Sequence, residues 1–419
     1  MHHHPMMNYS AFYPLGLMAF SSAALAAPVP VKLDAAMGLI RDGKPYQVKG
    51  AGGQTQLAQL AARGANSIRT WATTDLGQTL DAAQQQGLTV SAGIWLESEC
   101  PWFSYRNAEH CAKQTARVKA DILRFREHPA LLAWGLGNEA EGDGADPAFW
   151  QQIGRLAALV KELDPAHPTF TAVAGITAAK ADGLNRHAPY LDYLGVNTYG
   201  GIFSLRKTLE EVKWTRPWLV TEWGPQGFWE RPKGVAGMVL EQTSTEKANM
   251  MDKAYLEVIA PGGACLGSYA FVWGWKYEGT TTWFGLLTHD GKSTPSVVVL
   301  QQRWSGQRPD NTAPTISPIS GVPSSAVAPG TSFTASALSA DSEFDPLTWQ
   351  WTVLPEAAGH DAGATPAMPP TVPDTITDIS QPETVKVRAP RQPGRYRLHL
   401  QVSDDHGHAA TANAPLLVQ

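Results

Sequence analysis

The chain has 419 residues, too many for one ordinary domain and enough for two, the larger able to bury a full core. Only 17% of the residues are charged and the net charge is −5, so there is no basic footprint for nucleic acid. After the N-terminal stretch no segment reaches the roughly 20 apolar residues that span a bilayer as a helix, so no such span is expected.

In chain order, Ala11 to Leu25 is mostly apolar, and Ala24-Leu25-Ala26 ahead of Ala27-Pro28 fits a small-residue cleavage pattern. Residues 1–26 therefore read as an export signal, although no Lys or Arg precedes the apolar run. From Pro30 onward short apolar runs alternate with amphipathic stretches, the pattern of repeated strand-helix units. Eight strands are expected near Tyr46 to Gly50, Ser67 to Trp71, Thr89 to Trp95, Leu131 to Leu136, Thr169 to Ala174, Tyr193 to Asn197, Trp218 to Thr221 and Gly267 to Val272. Helical spacing marks Ala112 to Glu127, where Val118, Ile122 and Phe125 share a face. A second helix is expected over Asp146 to Leu163, with Asp146 as cap and Pro147 at its first position, and two more over Ser244 to Ile259 and Pro295 to Trp304. Eight strand-helix units over residues 30–306 match the count and size of a closed (β/α)8 barrel.

The composition changes near Gly306 to Pro314. Beyond it, Leu347 to Val353 and Tyr396 to Val402 alternate at period two, as half-buried antiparallel strands do. Residues 312–419 are expected to form a small all-β sandwich, with Glu356 to Pro373 as a long loop and Trp349 and Trp351 facing its core. In an oxidising compartment Cys100 and Cys111 can either form a bridge worth roughly 3 kcal/mol or remain free thiols. Cys265 opens an apolar run and is expected to be buried. Three cysteines without close histidine partners make neither a zinc site nor a thiol nucleophile.

Two short stretches carry the chemistry. Trp134-Gly135-Leu136-Gly137-Asn138-Glu139 and Leu219-Val220-Thr221-Glu222-Trp223-Gly224 each end an apolar run with a glutamate. A closed barrel brings both strand ends to one face, so two carboxylates distant in sequence can act on one bond. Cleaving a glycosidic bond with retention needs such a pair roughly 5 to 5.5 Å apart. Fifteen tryptophans, thirteen of them before residue 310, supply rings for the core and faces on which sugars can stack.

These stretches, with His128 to Glu139 in full and Gly195-Val196-Asn197-Thr198-Tyr199-Gly200-Gly201 between them, occur in the order seen in clan A glycoside hydrolases. The region from Val48 to Gly306 resembles that clan, most of all the barrel domain of family 2-type sequences. The resemblance implies Glu139 as acid/base and Glu222 as nucleophile. It further implies that Asn138 binds the sugar 2-hydroxyl, Tyr199 and Arg69 hold the nucleophile, and Trp273 floors the reacting-sugar subsite. Trp71 and Glu278 are expected on the same face, as are Glu97, Glu99, Glu141 and Asp143. Trp95, Trp102, Trp223, Trp229, Trp275 and Trp283 are further stacking candidates. His110 and His128 lie outside the strand ends, so the clan's histidines near the reacting sugar have no counterpart.

The C-terminal part resembles immunoglobulin-like modules of secreted glycosidases. Asp341, Glu343, Asp345, Asp404 and Asp405 resemble calcium-binding turns of such modules, but their loose spacing favours plain turn formation. The leading expectation is a secreted or periplasmic retaining β-glycoside hydrolase acting on a polysaccharide or oligosaccharide, with β-glucan the expected substrate. A transglycosylase with the same covalent intermediate and a non-catalytic glycan-binding protein stand beside it. Two carboxylates suffice for the reaction, so no metal or organic cofactor is implied.

Overall fold

The computed structural model describes residues 28–34, 36, 38–356 and 367–419. The expected export signal and much of the expected loop between Glu356 and Pro373 lie outside the described residues. All eight expected barrel strands form: β1 (Val48–Gly52), β2 (Ser67–Arg69), β3 (Thr89–Ile94), β4 (Leu131–Asn138), β5 (Thr169–Ala174), β6 (Tyr193–Asn197), β7 (Trp218–Trp223) and β8 (Cys265–Ala270). They close in the order β7-β8-β1-β2-β3-β4-β5-β6, every pair parallel. Such a sheet is covered on both faces, which is why β3 (TVSAGI) and β8 (CLGSYA) are buried at every position rather than alternating.

Among the described residues eight α-helices ring the barrel: α1 (Leu57–Ala62), α2 (Leu76–Gln85), α3 (Ala108–Phe125), α4 (Pro147–Leu163), α5 (Ala178–His187), α6 (Leu205–Glu211), α7 (Ser244–Ala254) and α8 (Pro295–Ser305). The sequence signals for α4 act as expected. The Asp146 side chain accepts the N–H of Ala148, and Pro147 opens the helix. Val118, Ile122 and Phe125 of α3 are buried, as their spacing predicts. The expected helix over Ser244 to Ile259 is α-helical only to Ala254 and widens to a π-helical turn over Tyr255–Ile259.

One element escapes the strand-helix pattern. Val31–Leu33, Leu39–Arg41 and Lys44–Tyr46 form a three-stranded antiparallel sheet ahead of β1. Tyr46, expected to start the first barrel strand, belongs to this sheet. Its last hairpin turns at Asp42-Gly43, with φ of 51° and 69°, the left-handed pair that a tight two-residue turn requires. Val31 and Leu39 pack with Val48, Leu132, Tyr193 and Leu219 and so close one end of the barrel.

After α8 the chain forms two three-stranded antiparallel sheets and a short ladder. β9 (Thr315–Ile316) pairs with β11 (Ser339–Ala340). β10 (Ser332–Ser336), β14 (Thr384–Arg388) and β13 (Ile376–Gln381) form one sheet; β12 (Thr348–Pro355), β15 (Gly394–Ser403) and β16 (Ala409–Val418) form the other. Trp351, Val353, Val385, Val387, Leu398 and Leu400 share their core, and Trp349 packs against it. Two of the acidic residues of this part make turns: Asp341 Oδ1 accepts the N–H groups of Glu343 and Asp345, and Asp404 Oδ1 those of His406 and His408; the carboxylates of Asp341, Asp345 and Asp404 also lie within 4.8 Å of one another. Cys100, Cys111 and Cys265 are free thiols. No helix among the described residues is long and apolar enough to cross a membrane.

Candidate active site

A cavity of about 920 Å³ opens where the strands end, lined among others by Asn138, Glu139, Tyr199, Glu222, Phe271, Lys276 and Glu278. Strand ends at this face of a barrel are where catalytic groups collect. Glu222 lies on β7 and Glu139 follows β4, so the fold brings both expected catalytic residues to one cavity. Glu139 has φ of 51°, a left-handed conformation rare outside glycine, two residues after Gly137 at 82°. The ladder between β4 and β5 is irregular from Gly135 to Asn138, and Glu139 N–H is still bonded to Ala172 O at 2.9 Å. Backbone strain of this kind persists where surrounding contacts enforce it, and here it aims the side chain into the cavity.

Glu222 accepts three hydrogen bonds. Oε1 receives Arg69 Nη1 at 2.9 Å and Trp71 Nε1 at 2.7 Å, and Oε2 receives the Tyr199 hydroxyl at 3.0 Å. Arg69 is 2% exposed, so its charge acts on Glu222 with little screening by water. Trp71 fits beside it because two glycines make room. A Cβ on Gly52 would come within 2.7 Å of the Trp71 ring, and one on Gly93 would come within 2.7 Å of the Trp71 backbone. Tyr199 keeps its proton far above the ordinary phenol range because burial and the Glu222 charge both oppose ionisation. It is thus a fixed donor.

A second set of bonds links the two glutamates. Arg69 Nη2 donates to Asn138 Oδ1 at 2.6 Å, and Asn197 Nδ2 donates both to that oxygen at 3.0 Å and to Glu139 Oε1 at 2.7 Å. Thr221 Oγ1 donates to Asn197 Oδ1 at 2.7 Å and fixes the orientation of that amide. With two donors on Asn138 Oδ1, its Nδ2 is left to face a ligand in the cavity. The Glu139 carboxyl is raised above the usual range, first by burial and then by the Glu222 charge, against the lowering effect of Asn197. One carboxyl is poised to carry a proton beside another surrounded by donors. Pairs whose environments differ in this way divide acid and nucleophile roles between them.

Of the expected site residues, Asn138, Tyr199, Trp71 and Glu278 line the cavity, and Arg69 lies behind it against Glu222. Glu278 is paired with Lys276 at 3.2 Å. Trp273 is not brought there. It is 3% exposed, packs in the barrel core and donates to Gln56 O at 3.3 Å, while Phe271 and Val272 provide the wall expected from it. β8 ends at Ala270, and the residues that face the cavity, Phe271 and Val272, come two and one positions before Trp273.

The other acidic candidates are engaged in structure. Glu97 is held by Arg117 and Gln114, Glu99 accepts the Tyr105 N–H, Glu141 pairs with buried Lys180 at 2.7 Å, and Asp143 accepts the Ala145 N–H. Trp95 and Trp229 line the cavity, whereas Trp223 and Trp283 are buried. Asn197 and Glu230 were not singled out from sequence. Asn197 ends β6 inside the Gly195 to Gly201 stretch, a position that signals a site-facing group; nothing in its surroundings marks Glu230.

Residues 54–258 match the family described as glycosyl hydrolases family 2, TIM barrel domain. A segment of 106 residues is 32% identical to mannan endo-1,4-beta-mannosidase F of Aspergillus fumigatus, covering 25% of this chain and 24% of that protein. The chain thus spans about a quarter of the length of this curated relative. Among solved structures, a calcium-binding mutant of Bacteroides uniformis beta-glucuronidase 2 superposes with a TM-score of 0.52 and 15% identity, over 93% of this chain and 47% of that one. Bifidobacterium dentium beta-glucuronidase complexed with coumarin-3-O-glucuronide gives 0.51 and 19%, over 67% and 50%. At these identities the structural likeness is one of fold.

Proposed function

We propose, on the premise that this barrel is a clan A catalytic domain of the family 2 type, that the chain is a secreted retaining β-glycoside hydrolase acting on a β-glucan. The observation that carries this reading is the pairing of Glu139, whose carboxyl is raised by burial and by Glu222, with a Glu222 carboxylate held by Arg69, Trp71 and Tyr199. Glu139 protonates the oxygen of the departing sugar while Glu222 attacks the anomeric carbon and forms a covalent glycosyl-enzyme. Esterification removes the Glu222 charge that helps to raise Glu139. Its carboxylate then acts as base on a water that releases the sugar. Asn138, with its Nδ2 free, donates to the sugar 2-hydroxyl, a contact that strengthens as positive charge develops at the anomeric carbon.

The β-glucan assignment rests on the tryptophan-rich mouth, and export on the apolar stretch Ala11 to Leu25. The C-terminal sheets fit an appended immunoglobulin-like module. A β-mannan is the second substrate reading, favoured by the mannosidase relative. The test is a product time course on β-1,3-, β-1,4-, β-1,6- and β-1,2-glucans and on β-1,4-mannan, with the anomer of the first product read by NMR. Shortening of one glucan with a β-configured first product supports the proposal. An α-configured product contradicts retention, mannan turnover alone moves the substrate to the second reading, and products longer than the substrate mark a transglycosylase.

A further inference from the structure

The structure places two exposed indoles on opposite sides of the cavity that holds both glutamates. In the closed order β7-β8-β1-β2-β3-β4-β5-β6, strands β3 and β7 stand four places apart, directly across the barrel. Trp95 follows β3 and Trp229 lies in the segment after β7, and both line the cavity. They are 48% and 58% exposed, whereas Trp223, Trp273 and Trp283 at the same end are at most 3% exposed. Large ring faces left in water at the edge of a cavity that also carries carboxylates and amides suit a ligand with both apolar faces and hydroxyls.

We propose that the barrel mouth is a cleft open at both sides, which binds an extended polysaccharide across it with sugars stacked on Trp95 and Trp229, so that cleavage is internal. This rests on the glycoside-hydrolase reading above and adds to it the form of the substrate. Trp229 is fixed in place before any ligand arrives. Its ring meets Tyr199 edge-on at 5.4 Å and Phe228 at 4.8 Å, and Phe284 at 6.2 Å. The neighbouring Glu230 carboxylate accepts the N–H groups of Gly200 at 2.8 Å and Gly227 at 2.7 Å, which ties the segment after β7 to the segment after β6. A ring so held loses little freedom when a sugar covers it, and stacking on it is gained at small entropic cost. The cavity of about 920 Å³ lies near the upper end of the roughly 300–1,000 Å³ of small-ligand sites and has room for more than one sugar ring. The Lys276–Glu278 pair and Ser98 supply polar groups along its walls for hydroxyls.

The test uses end-labelled linear β-glucan and β-mannan hexaoses beside an aryl β-glycoside of one sugar, with the full chain and its Trp95→Ala, Trp229→Ala and Trp102→Ala variants. Trp102 is 79% exposed and lies outside the cavity walls, so it serves as the control. The parent is expected to release labelled products of intermediate length first. Trp95→Ala and Trp229→Ala are each expected to lower kcat/KM on the hexaose about tenfold or more, and by a larger factor than on the aryl glycoside. Trp102→Ala stays within twofold on both. Trp95 lies across the mouth from β7, so its variant keeps the test decisive even where Trp229→Ala disturbs Tyr199. Hexaose cut only from one end, or equal losses on both substrates, overturns the cleft while aryl-glycoside turnover leaves the hydrolase reading standing. Absence of turnover on every glycoside overturns the underlying reading and the cleft with it.

Discussion

Two glutamates, Glu139 open to the cavity at the barrel mouth and Glu241 with its side chain buried where the barrel meets the C-terminal sheets, are driven in opposite directions. For both, loss of hydration around the carboxylate favours the neutral acid. At Glu139 the neighbouring Glu222 charge adds to that effect, and the carboxyl stays raised. At Glu241 burial is outweighed by Lys247 Nζ at 2.5 Å, by the Thr280 hydroxyl and by the Arg397 charge, and the carboxyl falls to about 2; Thr282 Oγ1 and Asn413 Nδ2 from β16 also donate to it. Desolvation alone therefore does not tell a catalytic acid from a structural ion; the partners decide. The same contacts show how the two parts of the chain are joined. Arg397 of β15, 2% exposed, pairs with Glu356 and donates to Val239 O at 2.8 Å, and Thr411 N–H donates to Ser244 Oγ at 2.8 Å.

The largest effect is expected at the mouth. Glu222→Gln should lower kcat by roughly 10⁴-fold or more, the scale seen when one member of a cooperating catalytic set is removed. Steady-state kinetics on an aryl β-glycoside checks it, and turnover within a few-fold of the parent would remove Glu222 from the mechanism. At the junction, Glu241→Gln leaves Lys247 buried without its counter-charge. It should cost about 3–5 kcal/mol of unfolding free energy in urea, with kcat per folded molecule retained. The acid response follows from the sign of the shift. Glu241 is lowered on folding, so its stabilisation is complete above the ordinary carboxylate range and is lost as pH falls toward about 2. His399, lowered by burial to about 4, acts in the same sense between its ordinary value and that pH. Thermal unfolding measured from pH 7 to pH 3 should show a steep loss in the parent, and a shallower one in Glu241→Gln.

Smaller changes sharpen the contrast. Tyr199→Phe removes one donor to a charged acceptor and should cost about 1.5–3 kcal/mol in transition-state stabilisation, read from kcat/KM, with little change in unfolding. Asn197→Ala removes the hydrogen bond that favours ionised Glu139. The carboxyl then rises further, and the basic limb of the kcat/KM profile should move to higher pH by up to about one unit. A limb that moved down would mean that another group is the acid.

The barrel was legible because each parallel strand is a short apolar run buried on both faces and set off by amphipathic helices. The two glutamates were legible because they terminate such runs. Periodicity carries no information past a strand end, and there the reading failed. Trp273 falls into the core while Phe271 and Val272 face the cavity, and Trp223 and Trp283 cannot be told from exposed Trp229 by residue type. The Trp71 N–H aimed at Glu222 depends on space left by Gly52 and Gly93, which come together only when β1 and β3 flank β2. Glu241 lies in an irregular segment whose partners are as far along the chain as Asn413, so no local signal marks it. The hairpin at Asp42-Gly43 does carry a local signal, an Asp-Gly turn pair that lies outside the strand-helix pattern.

The central claim is that Glu222 forms the covalent bond to sugar and Glu139 supplies the proton. Its most direct test is Glu222→Ala supplied with azide and an aryl β-glycoside, with the product identified by NMR. The account predicts restored turnover and an α-glycosyl azide, because azide occupies the space of the lost carboxylate and inverts the anomeric centre once. A β-glycosyl azide from this variant, or an α-glycosyl azide from Glu139→Ala instead, would contradict it.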